Sequence, residues 1–137
     1  MTRTEFRNWL NTTYAEPTES SYWYPLKKVN DKIPVIDFDS EELCDEGILK
    51  GLLQIFISHG IHEMFVLPEF EEGYSTDDLA RIFLVEDEDG YGFPYGSEEF
   101  YCDDSLEWVI YCSHENTVTF GGHWLVEEVR KLTEGLK

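Results

Sequence analysis

The chain has few basic residues: 10 Lys and Arg stand against 29 Asp and Glu, which gives a formal net charge of −19 at pH 7. Binding to nucleic-acid phosphates needs Lys and Arg side chains, so this shortage argues against direct binding of nucleic acid. Anionic lipid headgroups would repel the same acidic surface. We therefore expect neither nucleic acid nor a membrane to be a direct partner.

Long apolar segments and cysteine motifs are also missing. No apolar run approaches the roughly 18 residues that cross a bilayer, and residues 1–6 lack the apolar stretch of a signal peptide. Three widely spaced cysteines (Cys44, Cys102 and Cys112) form no CxxC motif, which favours reduced thiols over a disulfide framework. These features predict a cytoplasmic protein.

Motifs that carry catalysis are missing as well, since the chain contains no GxSxG, P-loop, GxGxxG or HExxH. Ser113, His114 and Glu115 are suitable residue types for nucleophilic catalysis. Neighbours in a strand point to opposite faces, however, so Ser113 and His114 would pair only if the turn reoriented them. We expect no enzyme activity, no catalytic residue and no cofactor.

One acidic loop approaches the spacing of a calcium loop. Asp87, Asp89, Gly92 and Glu98 fall at positions 1, 3, 6 and 12 of such a loop. Position 5, which usually carries Asp or Asn, is occupied by Tyr91. Weak binding of a divalent cation stays open as an alternative, and the expectation is a solvated acidic loop.

Histidine and cysteine suggest a second metal hypothesis. Cys112 and His114 could share a zinc ion if His62 or Cys102 lay opposite them. The remaining histidines, His59 and His123, add no CxxC or HxxxH spacing. Cys112 is more simply explained as a small buried residue of a central strand, so we expect no metal.

The residues that are present predict a folded core. Hydrophobic residues make up 42% of the chain and aromatic residues 15%, and 137 residues suit a single domain spanning 1–137. Hydrophobic periodicity predicts an α+β fold, with a mainly antiparallel sheet and helices packed against it. The helices are expected at 3–14, 40–58 and 123–135, and the strands at 62–67, 80–85, 99–102, 107–113 and 117–120. Capping-box spacing predicts that Thr2 caps the first helix and that Asp39, with Glu42 reaching back, caps the second. Glu46 and Lys50, four residues apart, are expected to form an ion pair.

Two segments are less regular. Residues 79–85 fit a short helix after Ser75 or a strand, and the apolar run at 82–85 favours the strand. Residues 15–36 lose periodicity around three prolines and predict an ordered loop with room for one short strand.

The segment Leu106–Cys112 is the strongest strand. Trp108, Ile110 and Cys112 alternate with Val109 and Tyr111, so both faces of the strand are apolar. Apolar residues on both faces are typical of a central strand, and Trp108 is therefore expected in the core.

The negative charge is concentrated in the middle of the chain. Residues 37–107 hold 21 Asp and Glu against two basic residues, Lys50 and Arg81, while the flanking segments nearly balance. A concentrated field attracts a positively charged partner, such as a basic protein, a cation or a surface that normally grips nucleic acid.

Aromatic residues lie among these carboxylates, which suggests a binding surface with aromatic anchors inside an acidic rim. The alternative is that the rings close a loop onto the sheet. The proposed anchors are Tyr91, Phe93 and Tyr95. The proposed rim comprises Asp77, Asp78, Glu86, Asp87, Glu88, Asp89, Glu98, Glu99, Asp103 and Asp104.

Residues 107–125 (EWVIYCSHENTVTFGGHWL) combine a Trp-bearing strand, a Ser-His-Glu turn, a return strand and the start of a closing helix. This segment resembles small cytosolic immunity proteins of bacterial toxin–immunity loci, including polymorphic-toxin and contact-dependent-inhibition loci. The resemblance covers about 20 of the 137 residues and includes no catalytic motif. It implies a protein that binds and blocks a cognate toxin domain, and it assigns no site residue.

The charge leads independently to a related expectation. Nuclease toxins have basic clefts, and an acidic inhibitor would associate quickly with such a cleft and occupy it. The expected function is therefore that of an immunity protein against a basic, nuclease-type toxin domain. A phage-type acidic inhibitor or nucleic-acid mimic, and a small uncharacterised enzyme, remain as alternatives.

Overall fold

A computed structural model describes residues 2–14, 33–68, 72–84, 93–95 and 98–134. Within these ranges the chain forms five helices and six strands. The helices are α1 (Arg3–Thr13), α2 (Ser40–Leu43), α3 (Glu46–Ser58), α4 (Leu79–Leu84) and α5 (His123–Leu132). The strands are β1 (Val35–Asp39), β2 (Met64–Leu67), β3 (Tyr74–Thr76), β4 (Glu99–Cys102), β5 (Val109–Cys112) and β6 (Thr117–Gly121).

The six strands form one sheet in the order β1-β6-β5-β4-β2-β3, and every neighbouring pair is antiparallel. The predicted α+β class with an antiparallel sheet is confirmed. Strand β5 lies between β4 and β6, as its two apolar faces predicted. Strand β1 was not predicted as such: its first two residues fall at the end of the segment 15–36, and residues 15–32 of that segment lie outside the described residues.

Each face of the sheet carries its own core. On one face Trp108, Ile110 and Cys112 pack with residues of α3, α4 and α5. On the other face Val109 and Tyr111 pack beneath the apolar side of α1. The alternation of β5 therefore separates the two cores, because successive side chains of a strand point to opposite faces.

The helix predicted over 40–58 is two helices, α2 and α3, separated at Cys44 and Asp45. Asp39 and Glu42 form the capping box predicted for the first of them. Asp45 adopts an extended backbone, and its carboxylate accepts a hydrogen bond from the N–H of Ile48 at 3.1 Å. This second cap ends α2 and starts α3, because a residue at an N-cap lies outside helical geometry.

The strand predicted over 80–85 is wrong, because residues 79–84 are helix α4. The carboxylate of Asp78 accepts a hydrogen bond from the N–H of Arg81 at 3.2 Å, which satisfies one of the first free N–H groups of the helix. Leu79 and Phe83, four residues apart, are both buried on the side that faces α3. Strand β3, which precedes α4, was not predicted.

The register of the strands defines two ends of the sheet. The β4–β5 end contains the turn 103–107 together with the residues next to Met64, Thr76 and Gly121. The β5–β6 end contains the turn 113–116 together with α2 and the start of β4. Strands of four residues separate the two ends by roughly 13 Å of sheet.

We expect Trp108→Ala to lower the free energy of unfolding by about 3–5 kcal/mol. The Trp108 side chain is fully buried and its ring centroid lies 4.8 Å from that of Phe56, so truncation leaves a cavity between sheet and helices. Urea denaturation at pH 7 measures the change. Leu84→Ala, which truncates an exposed side chain, is the control and should cost under about 1 kcal/mol. Equal midpoints for the two variants would contradict the central position of Trp108.

Candidate functional site

The acidic rim proposed from the sequence is divided between the two ends of the sheet. Asp77, Asp78, Asp103 and Asp104 lie at the β4–β5 end. Tyr95, Glu98 and Glu99 lie at the β5–β6 end. The rim residues 86–89 and the anchor Tyr91 fall outside the described residues, and the hypothesis for them stays a prediction.

Glu98 corrects the rim hypothesis, because it is buried and only 7% exposed. Its two carboxylate oxygens accept hydrogen bonds from the Tyr111 hydroxyl at 2.7 and 2.8 Å. The backbone N–H of His114 donates to it at 3.2 Å, and its Oε1 lies 2.7 Å from His114 Nδ1. A carboxylate with three such partners holds the chain together rather than facing a partner protein.

Phe93 corrects the anchor hypothesis in the same way, since it is 7% exposed and belongs to the core beneath α3 and α4. Its ring meets Phe83 and Tyr101 edge to face, with centroids 5.1 and 6.1 Å apart. Phe93 therefore follows the alternative stated for these rings, in which the ring closes a loop onto the sheet. Glu99 is half-buried, and one of its carboxylate oxygens accepts a hydrogen bond from the Tyr101 hydroxyl at 2.7 Å.

Tyr95 is the one proposed anchor that remains partly exposed among the described residues. Loss of solvent raises its pKa, with smaller contributions from contact with Cys44 and from the charge of Glu41. These causes place the Tyr95 hydroxyl beside α2 and its neighbouring residue Cys44.

The Glu98 network continues into the core beneath α1. Burial raises the pKa of Tyr111, and its hydrogen bond to Glu98 and the charge of that carboxylate raise it further. The Tyr111 ring stacks on Phe100 with centroids 4.6 Å apart, and the Arg7 guanidinium lies 5.1 Å above the Phe100 ring. The network therefore links the turn 113–116 to helix α1.

The Ser113–His114–Glu115 turn does not form the nucleophile arrangement considered from the sequence. The Ser113 hydroxyl lies 2.7 Å from the Thr117 hydroxyl and accepts hydrogen bonds from two backbone N–H groups of the turn. His114 Nδ1 is directed to Glu98, and its Nε2 lies 3.5 Å from Glu115 Oε1. The contacts of Ser113 are those of a hydroxyl that shapes a turn.

Four carboxylates at the β5–β6 end stabilise the protein's own helices. Asp39 and Glu42 cap α2, and Asp45 caps α3. Glu46 forms the ion pair with Lys50 that the spacing predicted, at 2.8 Å. Much of the negative charge at this end is therefore matched locally by helix N–H groups or by a cation.

The carboxylates at the β4–β5 end differ in this respect. Four exposed side chains there make no hydrogen bond or ion pair with any other described residue. They are Glu63, Asp77, Asp104 and Glu107. Only Asp78 and Asp103 act locally, because they accept hydrogen bonds within α4 and within the turn 103–107. This end therefore carries charge that the described part of the chain leaves uncompensated.

An aromatic pair lies at the same end and was missed from the sequence. The His59 ring stacks on Trp124 with centroids 4.2 Å apart and an angle of 18° between the rings. Glu63 and Glu107 were also missed as members of the acidic set. Their signal was available, because each is the first or second residue of a predicted strand (62–67 and 107–113), where an acidic side chain marks a sheet end.

The described residues contain no group of three or more His, Cys, Asp or Glu side chains placed to share a metal ion. Both Cys102 and Cys112 are fully buried in their strands, which separates them from a site shared with a solvent-exposed histidine. Among the helices described, none combines the length and apolar character needed to cross a bilayer.

We expect Glu98→Gln and Tyr111→Phe each to cost about 1–3 kcal/mol of unfolding free energy, because each leaves a buried polar partner unsatisfied. The double variant should cost less than the sum of the two, since both changes break the same contact. Glu115→Gln, at an exposed carboxylate of the same turn, is the control and should change stability by under about 0.5 kcal/mol. Additive costs in urea denaturation would show that the two side chains do not interact.

We expect stability to fall as the pH rises above about 9. Burial raises the pKa of the Cys102 thiol from 9.0 to about 12, and burial also raises the pKa of Tyr14, Tyr101 and Tyr111. Protonated groups stabilise the folded state fully below their unfolded pKa, and this contribution is lost as the pH rises from there. The melting temperature, recorded by thermal unfolding between pH 7 and 11, measures this loss of stability.

The matched variants for this pH series are Cys102→Ala and Cys44→Ser. Cys102→Ala should flatten the decline between pH 9 and 10, where the buried thiol dominates. Cys44 is exposed, so Cys44→Ser should leave the slope unchanged. A melting temperature that stays constant up to pH 11 would contradict the burial of these groups.

The resemblance of residues 107–125 to immunity proteins stays an expectation from the sequence. No family model, curated protein or solved structure matches this chain.

Proposed function

We propose that this protein is a non-enzymatic acidic inhibitor, an immunity protein that binds a basic, nuclease-type toxin domain and blocks it. The observation that carries the proposal is the set of four exposed, uncompensated carboxylates at the β4–β5 end. A basic surface placed against them would relieve their mutual repulsion and replace it with attraction.

The distribution of the charge supports a partner rather than general solubility. Charge needed only for solubility is usually mixed and spread over the surface. At the β5–β6 end Asp39, Glu42, Asp45 and Glu46 act as helix caps or in an ion pair, whereas four carboxylates of the β4–β5 end make no such contact with another described residue. A field of one sign at one end accelerates association with a surface of the opposite sign.

This function implies a place of action. A nuclease-type toxin acts on nucleic acid inside the cell, so its inhibitor would meet it in the cytoplasm. No disulfide links the three cysteines, all of which lie in the described residues, and this supports that compartment.

A second candidate function is a small hydrolytic enzyme, and the contact between Glu98 and His114 favours it. A carboxylate that binds one imidazole nitrogen orients the other as a base, which is a frequent catalytic device. Activity on small substrates that disappears in His114→Ala would support this candidate. A phage-type inhibitor that mimics nucleic acid would use the same charge as an immunity protein and would be encoded beside phage genes.

The proposal is tested with the reading frame that lies next to this one in its native genome. We expect that frame to encode a basic nuclease-type domain, and co-expression of the present chain should restore growth to cells that produce it. The purified chain should inhibit cleavage of nucleic acid in a 1:1 complex. Growth that stays arrested while both proteins are present in soluble form would reject the immunity function.

The contribution of the β4–β5 end is measured by stopped-flow association across an ionic-strength series. The variant Glu63→Gln/Asp77→Asn/Asp104→Asn/Glu107→Gln should associate about tenfold more slowly at low salt, because electrostatic attraction acts mainly on the association rate. The control Glu5→Gln/Glu41→Gln/Glu72→Gln/Glu134→Gln removes the same charge from exposed sites elsewhere and should change the rate by less than about twofold. Equal slowing of both variants would assign the effect to net charge alone.

A further inference from the structure

The aromatic pair His59–Trp124 is held as a rigid platform at the β4–β5 end. Trp124 is half-buried, and its ring meets Phe56 and Trp108 at centroid distances of 5.7 and 6.3 Å. His59 is exposed and covers one face of Trp124 at 4.2 Å. The outer face of the His59 ring is therefore directed to solvent while the core supports the ring beneath it.

Backbone connections place this platform at the same end of the sheet as the uncompensated carboxylates. Glu63 follows His59 by four residues and precedes β2, and the register Met64–Thr76 places Asp77 across from Glu63. On the other side, Gly122 precedes Trp124 by two residues and packs on Glu107. A side chain at Gly122 would clash with the Glu107 carbonyl oxygen, and its φ of +114° also favours glycine.

The combination of an exposed planar ring and carboxylates at the same end of the sheet fits a guanidinium group. Arginine stacks its flat face on an aromatic ring and donates hydrogen bonds from its edge to carboxylates. Lysine has an equal charge but a compact ammonium group without a planar face, so it would gain only the electrostatic part.

At the opposite end of the sheet, Asp39, Glu42, Asp45 and Glu46 cap helices or pair with Lys50, and the half-buried Tyr95 has its hydroxyl against Cys44. The β4–β5 end is thus the better fit for a positively charged segment of a partner.

We propose that the β4–β5 end binds arginine side chains of a basic protein, with a guanidinium stacked on His59 and with the carboxylates of the same end pairing with the bound arginines. The inference rests on the proposed function in taking the partner to be a basic protein. It deepens that function by naming the surface and the side chain that the surface selects.

Two peptides of equal charge test the proposal without the native partner. The probes are capped octapeptides of alternating Gly and Arg, or Gly and Lys, and binding to the full chain is measured by calorimetry at pH 8 and low salt. The wild-type chain should bind the Arg peptide about threefold more tightly than the Lys peptide, the difference being the stacking contribution.

His59→Ala should reduce this Arg-to-Lys ratio to about one, because the guanidinium loses its aromatic face. Leu84→Ala, which removes an exposed apolar side chain at the far end of α4, is the control and should keep the ratio near three. Thermal unfolding of both variants verifies that each is folded before binding is measured.

The charge variants test the second part of the proposal, which is the contribution of the carboxylates to binding. Neutralising Glu63, Asp77, Asp104 and Glu107 should weaken the binding of both peptides about tenfold and leave the ratio of their affinities unchanged. The control that neutralises Glu5, Glu41, Glu72 and Glu134 should weaken the binding of both peptides by less than about twofold.

The proposal is overturned if the wild-type chain binds neither peptide or binds the two equally. It is also overturned if His59→Ala keeps the ratio, or if the two charge variants weaken binding equally. These outcomes are separate from growth protection: a chain that prefers arginine at His59 but fails to restore growth leaves this surface standing and rejects only the immunity function.

Discussion

Strand β5 is buried on both faces, and the rest of the structure depends on that constraint. Its four residues, together with Trp108 just before it, are fully or almost fully shielded from water. A strand with two apolar faces is stable only if both faces of its sheet are covered. Helix α1 covers one face, and α3, α4 and α5 cover the other, so β5 dictates a layer on each side. Strands β4 and β6 complete its backbone hydrogen bonds.

This two-sided cover also decides where much of the negative charge can lie. A buried carboxylate needs hydrogen-bond partners, and Glu98 is buried together with its partners Tyr111 and His114. Many other carboxylates are placed at the ends of strands and the starts of helices. At the β5–β6 end they satisfy helix N–H groups, so their charge serves the fold. At the β4–β5 end Asp78 caps α4, and the four remaining exposed carboxylates make no hydrogen bond or ion pair with another described residue.

Several expectations from the sequence were correct because they depend on local spacing. The caps at Thr2 and Asp39, the ion pair between Glu46 and Lys50 and the alternation of β5 all involve residues within a few positions of one another. The strand expected at 80–85 failed because its apolar run fits two periodicities, and contact with α3 selected the helix. The single helix at 40–58 failed because Asp45 caps a second helix in competition with the continuation of the first.

The sequence by itself determined the class of the fold, the central strand and the excess of acidic residues, because composition and periodicity record these properties directly. Tertiary structure alone decided which carboxylates make hydrogen bonds within the protein and which are exposed. Glu98 and Glu107 are chemically identical in the sequence, yet one is buried beside Tyr111 and the other is exposed in the turn before β5. The stacking of His59 on Trp124 likewise joins residues 65 positions apart. Such pairings depend on how helices cross the sheet, and no local pattern specifies them.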